Sequence, residues 1–373
     1  MQKIGVIPGD GIGPEVVKEA RRVLDAVCEK RGLAFEFEEF PLGAGHYLKT
    51  GEVLSDETLQ RLSKKDAILL GAMGDPRVAP GVLEKGILLR LRFHFDQYIN
   101  LRPIKLLEGV PCPLDRPSPK IDIQFVRENT EDFYVGLGGR VKKGLSKTDL
   151  VLKRHAYEAK FDVGIDLKDE SELAFQIGVI TRHGAKRVLE YAFQLAKDKK
   201  IDLVTCVDKA NVLTEMYGLW REVADETSTK HGIEREFQYV DAVALHMVRT
   251  PERFKLIVSP NLFGDILTDL GAAIQGGLGF APSGNINPSG VSMFEPVHGS
   301  APDIAGKGLA NPVGAILSAA LMLDTLGRKE AATDVERAVR EVLKSGKHRT
   351  ADIGGKTPTT KVGDAVVSHL SEA

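Results

Sequence analysis

Ile4-Gly5-Val6-Ile7-Pro8-Gly9-Asp10-Gly11-Ile12-Gly13-Pro14 is the stretch on which the fold class turns. The apolar run Ile4–Ile7 reads as a buried strand and the three glycines as a tight turn. Pro14 suits the first helical position, and Val16, Val17, Ala20, Val23, Leu24 and Val27 then share one helical face. A turn between strand and helix is where phosphate-binding loops sit. The spacing is nevertheless wrong for the dinucleotide fingerprint, because Pro14 stands three residues after Gly11, where that pattern needs a small residue. The unit is α/β but not a Rossmann fold, and the turn either starts a helix and nothing more or lines a ligand cleft.

Outward from it, Ala67–Leu70, Ile121–Val126, Leu203–Val207 and Leu256–Val258 read as further buried strands. Gly184–Lys197 and Pro312–Leu326 have helical periodicity. Strands alternating with helices predict a largely parallel sheet. Gly136–Leu173 differs, with Gly136, Gly138, Gly139 and Gly144 among many Lys, Asp and Glu, and is expected to be a protruding β arm. Gly346–Pro358 is polar and turn-rich before a last short helix.

The chain has 373 residues, which suits two domains of roughly 150 residues each. With 43% hydrophobic and 27% charged residues and a net charge of -2, it resembles an ordinary globular protein with no general attraction to nucleic acid or anionic membrane. Ser318 and Asp324 interrupt Pro312–Leu326, which is short for a membrane span. Cys28, Cys112 and Cys206 have no metal-ligand spacing, and the first residues carry no signal-peptide core, so a reduced cytoplasmic setting is expected.

Three sets of polar residues suggest chemistry. Arg92 lies in Leu88-Leu89-Arg90-Leu91-Arg92, Arg102 in Asn100-Leu101-Arg102-Pro103, and Arg127 directly after a buried strand. A buried arginine is costly without an anion, and its planar fork matches a carboxylate. Each alone could simply pair with an acid; convergence of the three would imply a substrate with more than one carboxylate. Asp265 and Asp269, at i and i+4, would project from one helical face, where their repulsion is relieved by a divalent cation. Two solvated aspartates at a helix start would look the same. Asp241 stands in an apolar stretch, which favours a ligand or partner role. Lys209 follows the Leu203–Val207 strand, at the end of an α/β sheet where ligands bind, and serves as a base if desolvated. A solvated loop lysine is the plainer alternative.

Gly9–Glu15, Asn100–Pro103, Arg127-Glu128-Asn129-Thr130, Val207-Asp208-Lys209-Ala210-Asn211, Asn261–Asp269 and Glu295–Gly306 together resemble the isocitrate/isopropylmalate dehydrogenase family, the β-decarboxylating dehydrogenases. The resemblance extends from Gly9 to Asn311. It implies a large domain from both chain ends (1–101 and 276–373), a central substrate and dimerisation domain (102–275), and an intersubunit arm over about 136–173. It implies Arg92, Arg102 and Arg127 for substrate carboxylates and Asp241, Asp265 and Asp269 for Mg²⁺ or Mn²⁺. Lys209 would take the hydroxyl proton and Tyr134 would return one after carbon dioxide leaves. Lys209 and Asp241 would come from the partner, so the unit would be a homodimer with shared sites, alone or within a higher homo-oligomer.

The same resemblance implies a cofactor site of Asn211, Glu295, His298, Gly299, Ser300, Ala301, Pro302, Asp303, Ile304 and Asn311. Asp303 sits where NAD-using members place a carboxylate for ribose hydroxyls, and it would repel a 2′-phosphate, so NAD is expected over NADP. Ile87, Leu88 and Leu89 are expected to face the substituent at C3, an apolar set suited to the isopropyl group of 3-isopropylmalate. Members that use homoisocitrate tend to place an arginine three residues before the first substrate arginine, where this chain has Leu89, with Arg90 adjacent. Phe95–Tyr98, Gly109–Leu114 and Ser283–Pro288 resemble the D-malate/tartrate dehydrogenase branch instead, which stands as the alternative. Isocitrate and homoisocitrate fit less well. A non-catalytic regulatory subunit would not need Tyr134, Lys209, Asp241, Asp265 and Asp269.

Overall fold

The structure, a computed structural model, describes residues 1–114, 120–168 and 171–372. Asp169 and Glu170 of the expected arm, and Ala373 of the expected large domain, lie outside the described residues. In chain order the strands are β1 (Gln2–Gly9), β2 (Phe35–Glu39), β3 (Ala67–Ala72), β4 (Ile99–Lys105), β5 (Asp122–Glu128), β6 (Asp132–Val141) and β7 (Gly144–Lys153). They continue with β8 (Glu158–Leu167), β9 (Leu173–Val179), β10 (Leu203–Asp208), β11 (Glu234–Tyr239), β12 (Leu256–Ser259), β13 (Pro282–Ile286) and β14 (Ser292–Pro296).

Ten of them form one sheet in the order β11-β10-β12-β5-β4-β13-β14-β3-β1-β2. The outer pairings are parallel, as expected, but β5–β4, β4–β13 and β13–β14 are antiparallel. Both faces are covered by helices, so the strands are continuous apolar runs; β3 is buried throughout. Along β3, Ala67 and Leu69 join one core while Ile68 and Leu70 join the core on the other face, the period-two alternation of a strand. The sheet runs unbroken through the expected 101/102 boundary, which falls inside β4.

The first helix, Gly13–Arg31, begins one residue before Pro14, and Gly32 (φ 61°) ends it in a left-handed turn. Its predicted apolar face, Val16 to Val27, is buried against the helices Val313–Thr325 and Thr359–Glu372. Helices Arg182–Asp198 and Val313–Thr325 match the two other periodic segments. None of the described helices is long and apolar enough to cross a membrane.

The arm segment folds as two ribbons. β7 and β8 pair over their whole length, from Gly144↔Leu167 to Lys153↔Glu158, and β6 pairs with β9. Leu152 is buried with Val135 and Leu137 of β6. Arg154 donates from Nε to the Thr130 carbonyl (2.8 Å), and Tyr157 Oη donates to Glu131 Oε1 (2.8 Å). The end of the ribbon is thereby tied to the chain just ahead of Tyr134.

Candidate active site

The antiparallel centre of the sheet gathers the site. Arg127 near the end of β5 lies opposite Asn100 of β4, and Asn100 lies opposite Asn285 of β13. Arg102, two residues on, shares the face of Asn100, so Arg102 and Arg127 project from the same side. Arg92 arrives from the helix Arg90–His94.

Arg127 is 2% exposed and its guanidinium is held along one edge and at Nη1. Nε donates to the Asn261 carbonyl (2.9 Å) and to Asn261 Oδ1 (3.0 Å), Nη2 to the same Oδ1 (2.7 Å), and Nη1 to Asp265 Oδ1. Arg102 Nη1 donates to Thr268 Oγ1 (2.7 Å) and stands 3.5 Å from Asp269; its Nη2 is 3.5 Å from Asp265. Burial and then the neighbouring Arg127 push the Arg92 and Arg102 guanidiniums down to about 10. They remain charged at neutral pH. Nε of each is buried without a partner, and the charges of Arg92, Arg102 and Arg127 repel one another across the site.

Tyr134 of β6 donates its hydroxyl to Asp265 Oδ2. Burial and then this bond raise the phenol above its ordinary value, so it keeps its proton at neutral pH. Asp132, at a left-handed φ of 62°, accepts from the Leu262 amide (2.8 Å) and fixes the start of β6 against the helix Asn261–Ile274. On that helix Asp265 and Asp269 are one turn apart. Burial drives Asp265 upward, but Arg127, Tyr134, Arg102 and Arg92 outweigh it and hold the carboxyl below the usual range. Asp269 is raised, by burial first.

Lys209 and Asp241 form a separate unit. Lys209 Nζ donates to Asp241 Oδ1 at 2.6 Å, and Asp241 is 68% exposed by its side chain. Asp208 is fully buried and gripped by Arg221 (2.7 and 2.9 Å), and it accepts from the Ala210 amide (2.8 Å), which fixes the turn carrying Lys209. No hydrogen bond or ion pair described joins Lys209 or Asp241 to the arginine cluster. Among the described residues no three His, Cys, Asp or Glu side chains come together as metal ligands. One chain thus brings together Asp265 and Asp269 but not Asp241.

The expected cofactor loop packs on the opening glycine turn. A Cβ on Gly11 (φ +58°) would lie 1.9 Å from the Ser300 carbonyl oxygen, which also accepts from the Ile12 amide (2.8 Å). Ala301 has φ 40°, and Pro302-Asp303-Ile304 form a single helical turn with Asp303 exposed. Glu15 accepts from the Gly306 and Gly308 amides. Asn311 donates to Asp352 (3.0 Å) and accepts from Val313 (3.1 Å). His298 Nε2 is buried without a partner, and burial lowers the imidazole's pKa, so the ring is neutral at neutral pH. Glu295 accepts from Asn285 (2.7 Å) at the sheet centre. Gly299 follows His298 on the same loop. Asn211 lies apart from that loop, exposed in the Lys209 turn.

One expectation is corrected. Ile87 does not face the site: Leu83, Ile87 and Leu91 recur every fourth residue and are all buried in the core beneath. Leu88 and Leu89, three and four residues ahead of Arg92, are partly exposed, and Leu88 also packs against that core. A π-helical turn, Glu84–Leu89, precedes Arg90; such turns lie outside sequence periodicity. Arg90 points elsewhere, to the Leu54 carbonyl and Asp56. Asn261 and Asp208 were not singled out by sequence, since an amide and an acid inside a motif look the same whichever neighbour they hold.

The sequence pattern of the isocitrate/isopropylmalate dehydrogenase family matches residues 3–366. A 3-isopropylmalate dehydrogenase of Thermobifida fusca is 46% identical over 374 residues, 99% of this chain and 98% of the relative. One of Corynebacterium glutamicum is 44% identical over 377 residues and 99% of each chain. The crystal structure of an isocitrate dehydrogenase from Methylococcus capsulatus superposes with a TM-score of 0.84 at 35% identity, over 99% of each chain. A β-decarboxylating dehydrogenase from Thermococcus kodakarensis superposes with a TM-score of 0.75 at 35% identity, over 100% of this chain and 97% of the other.

Proposed function

The chain belongs to the isocitrate/isopropylmalate dehydrogenase family, and on that premise we propose that it oxidises 3-isopropylmalate with NAD and releases one carboxylate as carbon dioxide. The observation that carries this is the convergence of Arg92, Arg102 and Arg127 around Asp265, which Tyr134 also meets. Three buried cations suit a dicarboxylate. Leu88 and Leu89 ahead of Arg92 suit an apolar C3 group, and Arg90, held by Asp56, supplies no charge for a third carboxylate.

Asp265 and Asp269 offer only hard oxygen donors one helical turn apart, which suits Mg²⁺ or Mn²⁺, with Asp241 of the partner subunit as a third ligand. A cation held there would polarise the C2 oxygen in both stages of the reaction. The orphaned Nε2 of His298, beside the Gly299–Ile304 turn and Asn311, fits a bound nucleotide. NAD would accept the hydride from C2. Lys209 of the partner subunit takes the hydroxyl proton, the bond from C3 to its carboxylate breaks, and Tyr134 returns a proton to C3. The exposed apolar residues Leu245, Val248 and Ile266 on the helices Val240–Arg249 and Asn261–Ile274 support a homodimer that covers them.

Turnover with NAD and Mg²⁺ is compared for 3-isopropylmalate, D-malate, tartrate, isocitrate and homoisocitrate. The highest kcat/KM is expected for 3-isopropylmalate; a higher value for D-malate or tartrate overturns the substrate assignment.

A further inference from the structure

We propose that Asn261 is a positioning residue that dictates which edge of Arg127 meets the substrate. This rests on Arg127 being a substrate arginine, as proposed above. A guanidinium carries five N–H groups in a rigid plane. Asn261 takes the side edge: its carbonyl and Oδ1 accept from Nε, and Oδ1 accepts also from Nη2. Asp265 takes one proton of Nη1. One N–H on Nη1 and one on Nη2 remain, and these suit a carboxylate met end-on through two parallel bonds.

Asn261 is itself fully buried, and its amide donates to the Glu131 carbonyl at 3.3 Å. An amide suits the position better than an acid, because it orients the cation without neutralising the charge meant for the substrate. Gly264 completes the cradle. A Cβ there would stand 2.6 Å from Arg127 Cγ, 2.9 Å from its Cβ and 3.1 Å from its Cδ, so only glycine lets the arginine stem lie across the first turn of the helix. The motif Asn261-Leu262-Phe263-Gly264-Asp265 therefore seats an arginine with its first, fourth and fifth residues. Without the Asn261 side chain, Arg127 keeps its charge and the Nε bond to the main-chain carbonyl at 261 but loses both bonds to Oδ1, so its plane can tilt and offer the wrong edge.

Steady-state kinetics on Asn261→Ala test this, with Asn261→Ala also placed in an Arg127→Lys background. The single variant is expected to raise KM for 3-isopropylmalate about tenfold or more, the scale of a lost charge-assisted hydrogen bond. KM for NAD should stay unchanged and kcat should fall less than about threefold. Because Asn261 acts through Arg127, the same substitution in the Arg127→Lys protein should change KM by less than about threefold. An unchanged substrate KM, a parallel rise in the NAD KM, or an equal effect in both backgrounds overturns the proposal. If Asn261→Ala does not fold, the near-isosteric Asn261→Leu, which fills the same space without an acceptor, replaces it in the same comparison, with the same expected and overturning results. Wild-type turnover with no Asn261 effect sinks the positioning role alone, whereas a wild type that turns over none of the five acids sinks the functional reading.

Discussion

Lys209 donates to Asp241 at 2.6 Å on a part of the chain with no described bond to Tyr134 or the three arginines. The shared-site proposal expects this pair to serve the site of the partner subunit rather than the one that holds Arg127 of the same chain. Mixing inactive Lys209→Met with inactive Asp265→Asn should then restore activity. In a heterodimer one site collects both lesions and the other neither, so random reassortment returns about a quarter of wild-type activity. Subunits must exchange first, by co-expression or co-refolding. Dimers that form without regaining activity would place a lysine in each subunit's own site.

Asp303 is exposed on the turn Pro302–Ile304, where it can meet a ribose without rearrangement of the core. Replacing Asp303 and Ile304 by Lys and Tyr should shift preference from NAD toward NADP, as a cation replaces a like charge opposite the 2′-phosphate. The ratio of kcat/KM for the two nucleotides measures it; an unchanged ratio removes Asp303 from that role.

Gly11 is predicted to be intolerant of any side chain. Its φ of +58° and the 1.9 Å approach of Ser300 mean that Gly11→Ala must push away the loop expected to bind nucleotide. KM for NAD should rise about tenfold or more while KM for 3-isopropylmalate changes little, since a displaced binding loop loses uniform binding. Equal NAD affinity in the two proteins would mean that the turn is only a turn.

Tyr134→Phe should lower kcat about 10²–10⁴-fold, the range for loss of a positioned acid. Burial and the bond to Asp265 raise the phenol above its ordinary 10.0, so wild-type kcat should show no Tyr134 ionisation below about pH 10. Substantial turnover by the variant would assign the proton to water or another group.

Stability should fall as pH rises from about 4 to about 7 and level off above that. Burial, then Glu128, pushes Glu131 from 4.5 to about 7, and burial pushes Asp132 from 3.8 to about 6. A carboxyl raised in the folded state stabilises fully below its unfolded pKa and loses that contribution as pH climbs through the folded one. The slope is roughly 1.4 kcal/mol per pH unit for each titrating group. Chemical unfolding from pH 4.5 to 8 measures it, and Glu131→Gln should flatten the curve. The same slope in wild type and variant would discount Glu131.

Much was legible along the chain because it depends on near neighbours. An unbroken apolar run marked Ala67–Leu70 and a period-3.6 pattern marked Val16–Val27, whose burial follows from local geometry whatever they pack against. The motif residues Arg127, Asp265, Asp269 and Lys209 were identifiable by type and order. The antiparallel centre of the sheet was not, because the register of β4 against β13 joins residues as distant along the chain as Asn100 and Asn285. Ile87 was misplaced for a related reason: one residue's turn around a helix separates core from cleft, and a π-helical segment alters that count.

By itself the sequence determined which groups are available: three arginines, the paired aspartates, a tyrosine, a lysine and a glycine turn that is not a Rossmann loop. Only the tertiary structure decided which of them meet. It set Arg127 against Asn261, Gly264 and Asp265, turned Arg90 away to Asp56, and kept Lys209 with Asp241 apart from the rest. Hydrogen bonds and ion pairs act over a few ångströms of space, and distance in space is fixed by packing and strand register, which no spacing along the chain records.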